Sequence, residues 1–321
     1  MKPDQNPETL VSQAFELIEA GDPKTALKIG MRLEKMRYSG AFEIQAIACA
    51  RLDKKNKAVK ILEKGVKLAP EAWLLWQLLG NYESDLGHYD KAVNAFENGL
   101  KTKNSDMVSL YYNYANALTR YGKVDAAMNK LQLAFADQRF SQSSKELIQL
   151  CFSLLMNLNN QQKNYDATKY AFEVFFRDYH LHHVYSNGLS EIYSELSTAF
   201  WKTKKKEEAI GAALRAIHFD RQNQDAQFLL REIRKTNYQN AKYMRIMLHG
   251  KWHEPFEGEK EIPKFFTTYD VVADSEEEAL TFIKEFEPEA VADSLQIEEV
   301  KLIESEKQPK GVYKVSSYYF Y

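Results

Sequence analysis

A small residue recurs along this chain at a repeat-length interval, and that recurrence limits the fold more than any other feature. It stands at Ala26, Ala58, Ala92, Ala127, Thr168 and Ala209, in steps of 32, 34, 35, 41 and 41 residues. Periods of roughly 20–50 residues mark stacked supersecondary units, each unable to bury its apolar face alone. The clearest unit spans residues 73–106. Trp76, Leu79 and Gly80 fall at i, i+3 and i+4, one face of a first helix. Gly87 follows in the turn Asp85-Leu86-Gly87-His88, where a left-handed residue can end that helix. Ala92 and Phe96, at i and i+4, line a second helix, and the small Ala92 lets the two helices approach closely.

The same context repeats. Turn glycines stand at Gly21, Gly87 and Gly122, and Pro70 ends a helix. First-helix landmarks align as Leu10 with Ala14, Phe42 with Ala46, Tyr111 with Ala115, Phe152 with Met156, and Tyr193 with Ser197. A chain of 321 residues is too long for one ordinary compact core, but it suits an array of about six helical hairpins. Residues 225–235 (DAQFLLREIRK) are amphipathic and are expected to form a capping helix.

These residues resemble the tetratricopeptide repeat family over roughly residues 7–236. Tyr82 stands one place before the family's usual tyrosine, Asn104 replaces its proline, and the last two units are longer. The resemblance implies a right-handed α-solenoid whose first helices line a concave groove holding a peptide or partner protein. In that register Asn81, Asn116 and Asn157 occupy one place on successive first helices, each 11 residues before its small residue. An amide offers both donor and acceptor to a peptide backbone. Gln77, Tyr112, Arg120, Trp201 and Lys202 are the neighbouring partner-binding candidates. Gln77, Leu150 and Leu154 stand where relatives that grip C-terminal carboxylates place cations. The expected ligand is therefore an internal or hydrophobic peptide segment.

After about residue 238 the period changes. Met244, Ile246 and Leu248 alternate with polar or flexible residues, and residues 265–273 (FFTTYDVVA) are rich in aromatic and β-branched types. Ser275 and Glu278 form a capping box before a helix with the stripe Ala279, Phe282, Ile283 and Phe286. Strands near residues 295–304 and 312–321 complete a small α+β domain of order ββαββ, with its strand order open. The expected division is thus 1–238 and 239–321. The second part carries 10 Lys/Arg against 17 Asp/Glu, the first 33 against 28. That acidity motivates an alternative function, an inhibitor or immunity-type protein that blocks a basic partner.

Signals for chemistry are thin. His180, His182 and His183 cluster beside Asp178, but adjacent residues on a regular element point apart, so solvated loop histidines are expected. His249 and His253 flank Trp252 with still less to suggest a metal. The chain has no phosphate-cradling glycine loop, HExxH or GxSxG. An enzyme is not expected, nor a cofactor or metal. Lys202, Lys204, Lys205 and Lys206 make a basic patch too short for nucleic acid, and a net charge of -2 gives no general attraction to it. No apolar run is long enough to span a bilayer, and residues 1–5 lack the apolar core of a signal peptide. Cys49 and Cys151 sit in apolar helical patterns, which fits buried thiols in a reducing compartment, so a cytoplasmic location is expected. In the terminal run Tyr318-Tyr319-Phe320-Tyr321, a one-sided strand would hide alternate members only. The others would be exposed anchors or would pack against the repeats.

Overall fold

The computed structural model describes residues 6–38, 40–103, 105–179, 186–234, 241–256, 260–305 and 308–321. Residues 1–5, Asn104, the histidines His180, His182 and His183, and the end of the capping helix at Lys235 lie outside them. The chain forms two compact units, residues 1–143 and 144–321.

The first unit is four helical hairpins: α1 (Pro7–Glu19) with α2 (Pro23–Lys35), α3 (Ala41–Arg51) with α4 (Lys55–Leu68), α5 (Trp73–Asp85) with α6 (Tyr89–Leu100), and α7 (Met107–Arg120) with α8 (Val124–Ala136). Side-chain caps start three of them: Asn6 accepts from the Glu8 N–H, Asp22 from Thr25 and Asp106 from Ser109. Each first helix packs beside the next, α1 on α3, α3 on α5 and α5 on α7. Ala26, Ala58, Ala92 and Ala127 are all buried, as the spacing predicts. The approach is close at Gly80, where an added Cβ would lie 2.8 Å from the Phe96 ring.

The second unit continues the pattern with α9 (Lys145–Gln161) and α10 (Tyr165–Tyr179), α11 (Ser186–Lys202) and α12 (Lys206–Phe219), then α13 (Gln224–Arg234). Thr168 and Ala209 are buried in the expected slots, and the Thr168 hydroxyl donates to Asn160 Oδ1 at 2.8 Å. A left-handed residue stands five places before each small residue throughout the chain. Gly21, Gly87 and Gly122 take the slot, and so do Asp53, Lys163 and Lys204, with φ of 57, 60 and 63°. This confirms the register of all six hairpins.

A sheet follows, with β1 (Lys242–Lys251), β2 (Lys264–Ala273), α14 (Glu276–Lys284), β3 (Gln296–Leu302), β4 (Gly311–Val315) and β5 (Tyr319–Phe320). The strand order is β3-β1-β2-β4, with β5 also on β2, and every pairing is antiparallel. The predicted last strand is therefore two: its ladder on β2 breaks after Val315, where the Ser316 hydroxyl accepts from the Thr268 N–H instead. Ser275 caps α14 as expected, but the returning Glu278 carboxylate accepts from Asp274 N–H rather than from its cap residue. Met244, Ile246 and Leu248 are buried with Phe265, Tyr269 and Val271 against Ala279 and Ile283 of α14. The same core takes in Ala213, Ala216 and Ile217 of α12 and Ala226 and Leu230 of α13. The last helices and the sheet thus share one apolar cluster on both sides of residue 238.

Of the terminal aromatics, Tyr318 turns inward while Tyr319 and Tyr321 are 71% and 65% exposed. Among the described residues, no helix is long and apolar enough to cross a membrane.

Candidate functional site

All the candidate residues except Gln77 and Tyr112 line one of two clefts, one in each unit. In the first, Asn81 near the end of α5 and Asn116 near the end of α7 line a cavity of about 260 Å³ with Asn113, Asp85 and Arg120. The two asparagines come together because α5 and α7 pack side by side one repeat apart. Among the described residues neither amide has a hydrogen-bond partner in the protein, whereas Asn113 donates to the Ser109 carbonyl at 2.8 Å. The Ser84 hydroxyl, also on the lining, is buried without a partner. A free donor and acceptor on each of two neighbouring helices is the equipment needed to pair with peptide units.

Arg120 lies in this cleft but its charge is committed. It bonds Asp85 at 2.5 Å, and Lys55 reaches the same carboxylate at 2.8 Å. Burial pushes the Asp85 carboxyl up, but the two cationic hydrogen bonds outweigh it and hold it below the ordinary value. A depressed folded pKa contributes stability above the unfolded value, lost as pH falls through the folded one. Carboxyl NMR is therefore expected to show Asp85 titrating below an ordinary aspartate, and Arg120→Ala to move it upward. Gln77 and Tyr112 lie outside this lining. Gln77 is 9% exposed and accepts from the Ser109 hydroxyl at 3.0 Å, so it braces α5 against α7.

The second cleft, of about 460 Å³, is walled by α9, α11 and α13. It contains Asn157, Trp201 and Lys202 from the sequence reading. Asn157 is not idle there: it donates to Glu195 Oε1 at 2.7 Å and accepts from Gln161 at 2.6 Å. Asn160 donates to the other Glu195 oxygen at 2.7 Å. Burial raises the Glu195 carboxyl above its ordinary value; the two amides oppose this, and Asp225 and Glu191 add to it. Glu195, Asp225, Glu232 and Phe228 were not anticipated as site residues. Glu195 lies 38 residues beyond Asn157, and only the offset between α9 and α11 brings them together.

Among the described residues, no group of three His, Cys, Asp or Glu side chains could hold a metal ion. His249 instead meets Glu298 at 2.6 Å.

Stacked two-helix units with a buried small residue and a left-handed turn define a helical-repeat protein. The Tetratricopeptide repeat family model matches residues 75–106, the α5–α6 hairpin, so the chain carries a tetratricopeptide repeat followed by an unassigned α+β segment. Solved structures agree on the fold. The crystal structure of the APC/C hetero-tetramer Cut9-Hcn1 is 14% identical with a TM-score of 0.56, over 72% of this chain and 43% of that one. PilW, a widely conserved type IV pilus biogenesis factor, is 12% identical with a TM-score of 0.56, over 70% and 99%. A tetratricopeptide repeat protein from Parabacteroides merdae is 14% identical with a TM-score of 0.53, over 73% and 86%. This chain thus spans less than half of the Cut9-Hcn1 chain it matches. A search of curated protein sequences finds no significant match.

Proposed function

We propose that this protein is a non-enzymatic interaction scaffold that holds a peptide segment of a partner protein across the first helices of its repeats. The observation that carries this reading is the pair of amides Asn81 and Asn116, side by side in one cleft and without a partner among the described residues. The ligand is an internal or hydrophobic segment rather than an acidic C-terminus. Arg120 and Lys55, the nearby cations, already share Asp85, and Gln77 is buried. The alternative of a blocking acidic domain gains nothing from Glu278, which is engaged by Asp274 N–H and Lys310.

Selection from a displayed random-peptide library on the full chain supplies a ligand for the test. Asn81→Ala combined with Asn116→Ala is expected to weaken it at least about tenfold, since each net hydrogen bond contributes about 0.5–1.5 kcal/mol. The melting temperature should hardly move, because neither amide bonds to any of the described residues. Wild-type affinity in the double variant would rule the site out.

A further inference from the structure

We propose that the cleft of the second unit receives an arginine side chain from a bound polypeptide. This goes beyond the peptide reading above, and uses neither Asn81 nor Asn116.

Charge is the first argument. Two carboxylates, Glu195 and Asp225, line the cleft against one cation, Lys202. Among the described residues neither Glu195 nor Asp225 has a cationic partner; the Glu195 oxygens are held by neutral amides. Glu191, one turn earlier on α11, accepts from the Ser153 hydroxyl and extends the acidic strip along the helix. Arg231 on α13 does not offset it, being committed to the Val312 carbonyl and stacked 4.0 Å over the Tyr313 ring. Burial keeps the Glu195 carboxyl above its usual range, and Asp225 and Glu191 push the same way. An incoming cation would relieve all three effects.

Shape and surface are the second. The cleft also presents Trp201 and Phe228, and Phe228 is 57% exposed on α13 although large and apolar. An apolar guest would cover these rings but strip water from the carboxylates, which costs more than it returns. A guest must therefore be cationic at its tip and flat enough to lie on a ring. A guanidinium meets both demands: it stacks on aromatic faces and presents a planar fork to a carboxylate. An ammonium supplies the charge without the fork.

The test titrates the full chain, with its tryptophan indoles labelled with nitrogen-15, using N-acetyl-arginine amide. N-acetyl-citrulline amide, the neutral analogue of the same shape, and N-acetyl-lysine amide are titrated in parallel. The expected result is a saturable shift of the Trp201 indole signal with arginine, at least about tenfold weaker with citrulline, because hydrogen bonds to charged groups are the stronger class. Glu195→Gln and Asp225→Asn should each weaken the arginine titration about tenfold by the same argument. Asp225 is exposed, so its variant decides the matter even if the Glu195 variant loses structure. The Asn81→Ala, Asn116→Ala chain should bind arginine as the wild type does, which separates this site from the first cleft. Equal binding of arginine and citrulline, no saturable shift, or an unchanged Asp225→Asn titration would overturn the proposal. Lysine binding as tightly as arginine would overturn the guanidinium assignment.

Discussion

Glu287→Ala is expected to destabilise the second unit by about 3–5 kcal/mol, the cost of leaving one member of a buried ion pair uncompensated. Glu287 has a fully buried side chain, and Arg221, in the turn between α12 and α13, is 13% exposed. Arg221 Nη2 donates to Glu287 Oε1 at 2.7 Å and to the Tyr269 hydroxyl at 2.9 Å, and its guanidinium lies 3.7 Å over the Tyr318 ring. The Tyr269 and Tyr318 hydroxyls donate to the two Glu287 oxygens, each at 2.5 Å. Burial, reinforced by the carboxylate, pushes both phenols above their ordinary range, so they stay protonated and keep donating. The α12–α13 turn, strand β2 and the segment before β5 thus meet on a single carboxylate in the segment after α14. Replacing the pair together, Arg221→Met with Glu287→Leu, should recover much of the loss, since removing both charges leaves none unpaired. Urea unfolding followed by circular dichroism measures both. A single-variant cost below about 1 kcal/mol, the scale of an exposed ion pair, would show that the network is not structural.

None of that network was legible in the sequence, and the reason is distance along the chain. Arg221 and Glu287 are 66 residues apart, and no periodicity links a repeat turn to a residue beyond a later helix. Helix pairing was legible because its requirements are local and steric. A Cβ at Gly80 would strike Phe96, and the small residue recurs because two backbones must approach there. Turn positions were half legible. Glycine marks three of the six left-handed turns, while Asp53, Lys163 and Lys204 accept the same φ and look unremarkable as letters. The site followed the same division. Asn81 and Asn116 were reachable by counting back from Ala92 and Ala127. The pairing of Asn157 with Glu195, and of Arg120 with Asp85, depends on offsets between neighbouring helices that counting does not supply. Alternation in β1 correctly named Met244, Ile246 and Leu248 as buried, but a period of two says nothing about what covers them.

What covers them leads to the second large effect. A chain ending at residue 238 is expected to lose α12 and α13 as stable helices, while residues 144–321 expressed alone should fold and unfold cooperatively. Ile217 and Leu230 are 0% and 3% exposed, in a core shared with Met244, Ile246 and Val271. Baring a buried Leu or Ile costs about 1.5–3 kcal/mol, so these two alone amount to about 3–6 kcal/mol. Polar anchors are lost with them: Arg231 to the Val312 carbonyl, and Arg234 to Glu285 at 2.8 Å. At about 2–4 °C per kcal/mol for a unit of this size, the truncated chain should melt roughly 10 °C or more below the intact unit. Amide exchange separates this from a general loss of stability. Protection should collapse in α12 and α13 and persist in α1 to α8, which belong to the compact unit of residues 1–143. Equal protection of α12 and α13 with and without the sheet would instead place an independent boundary at residue 238. The shared core would then be a surface that the helices can expose to water without unfolding.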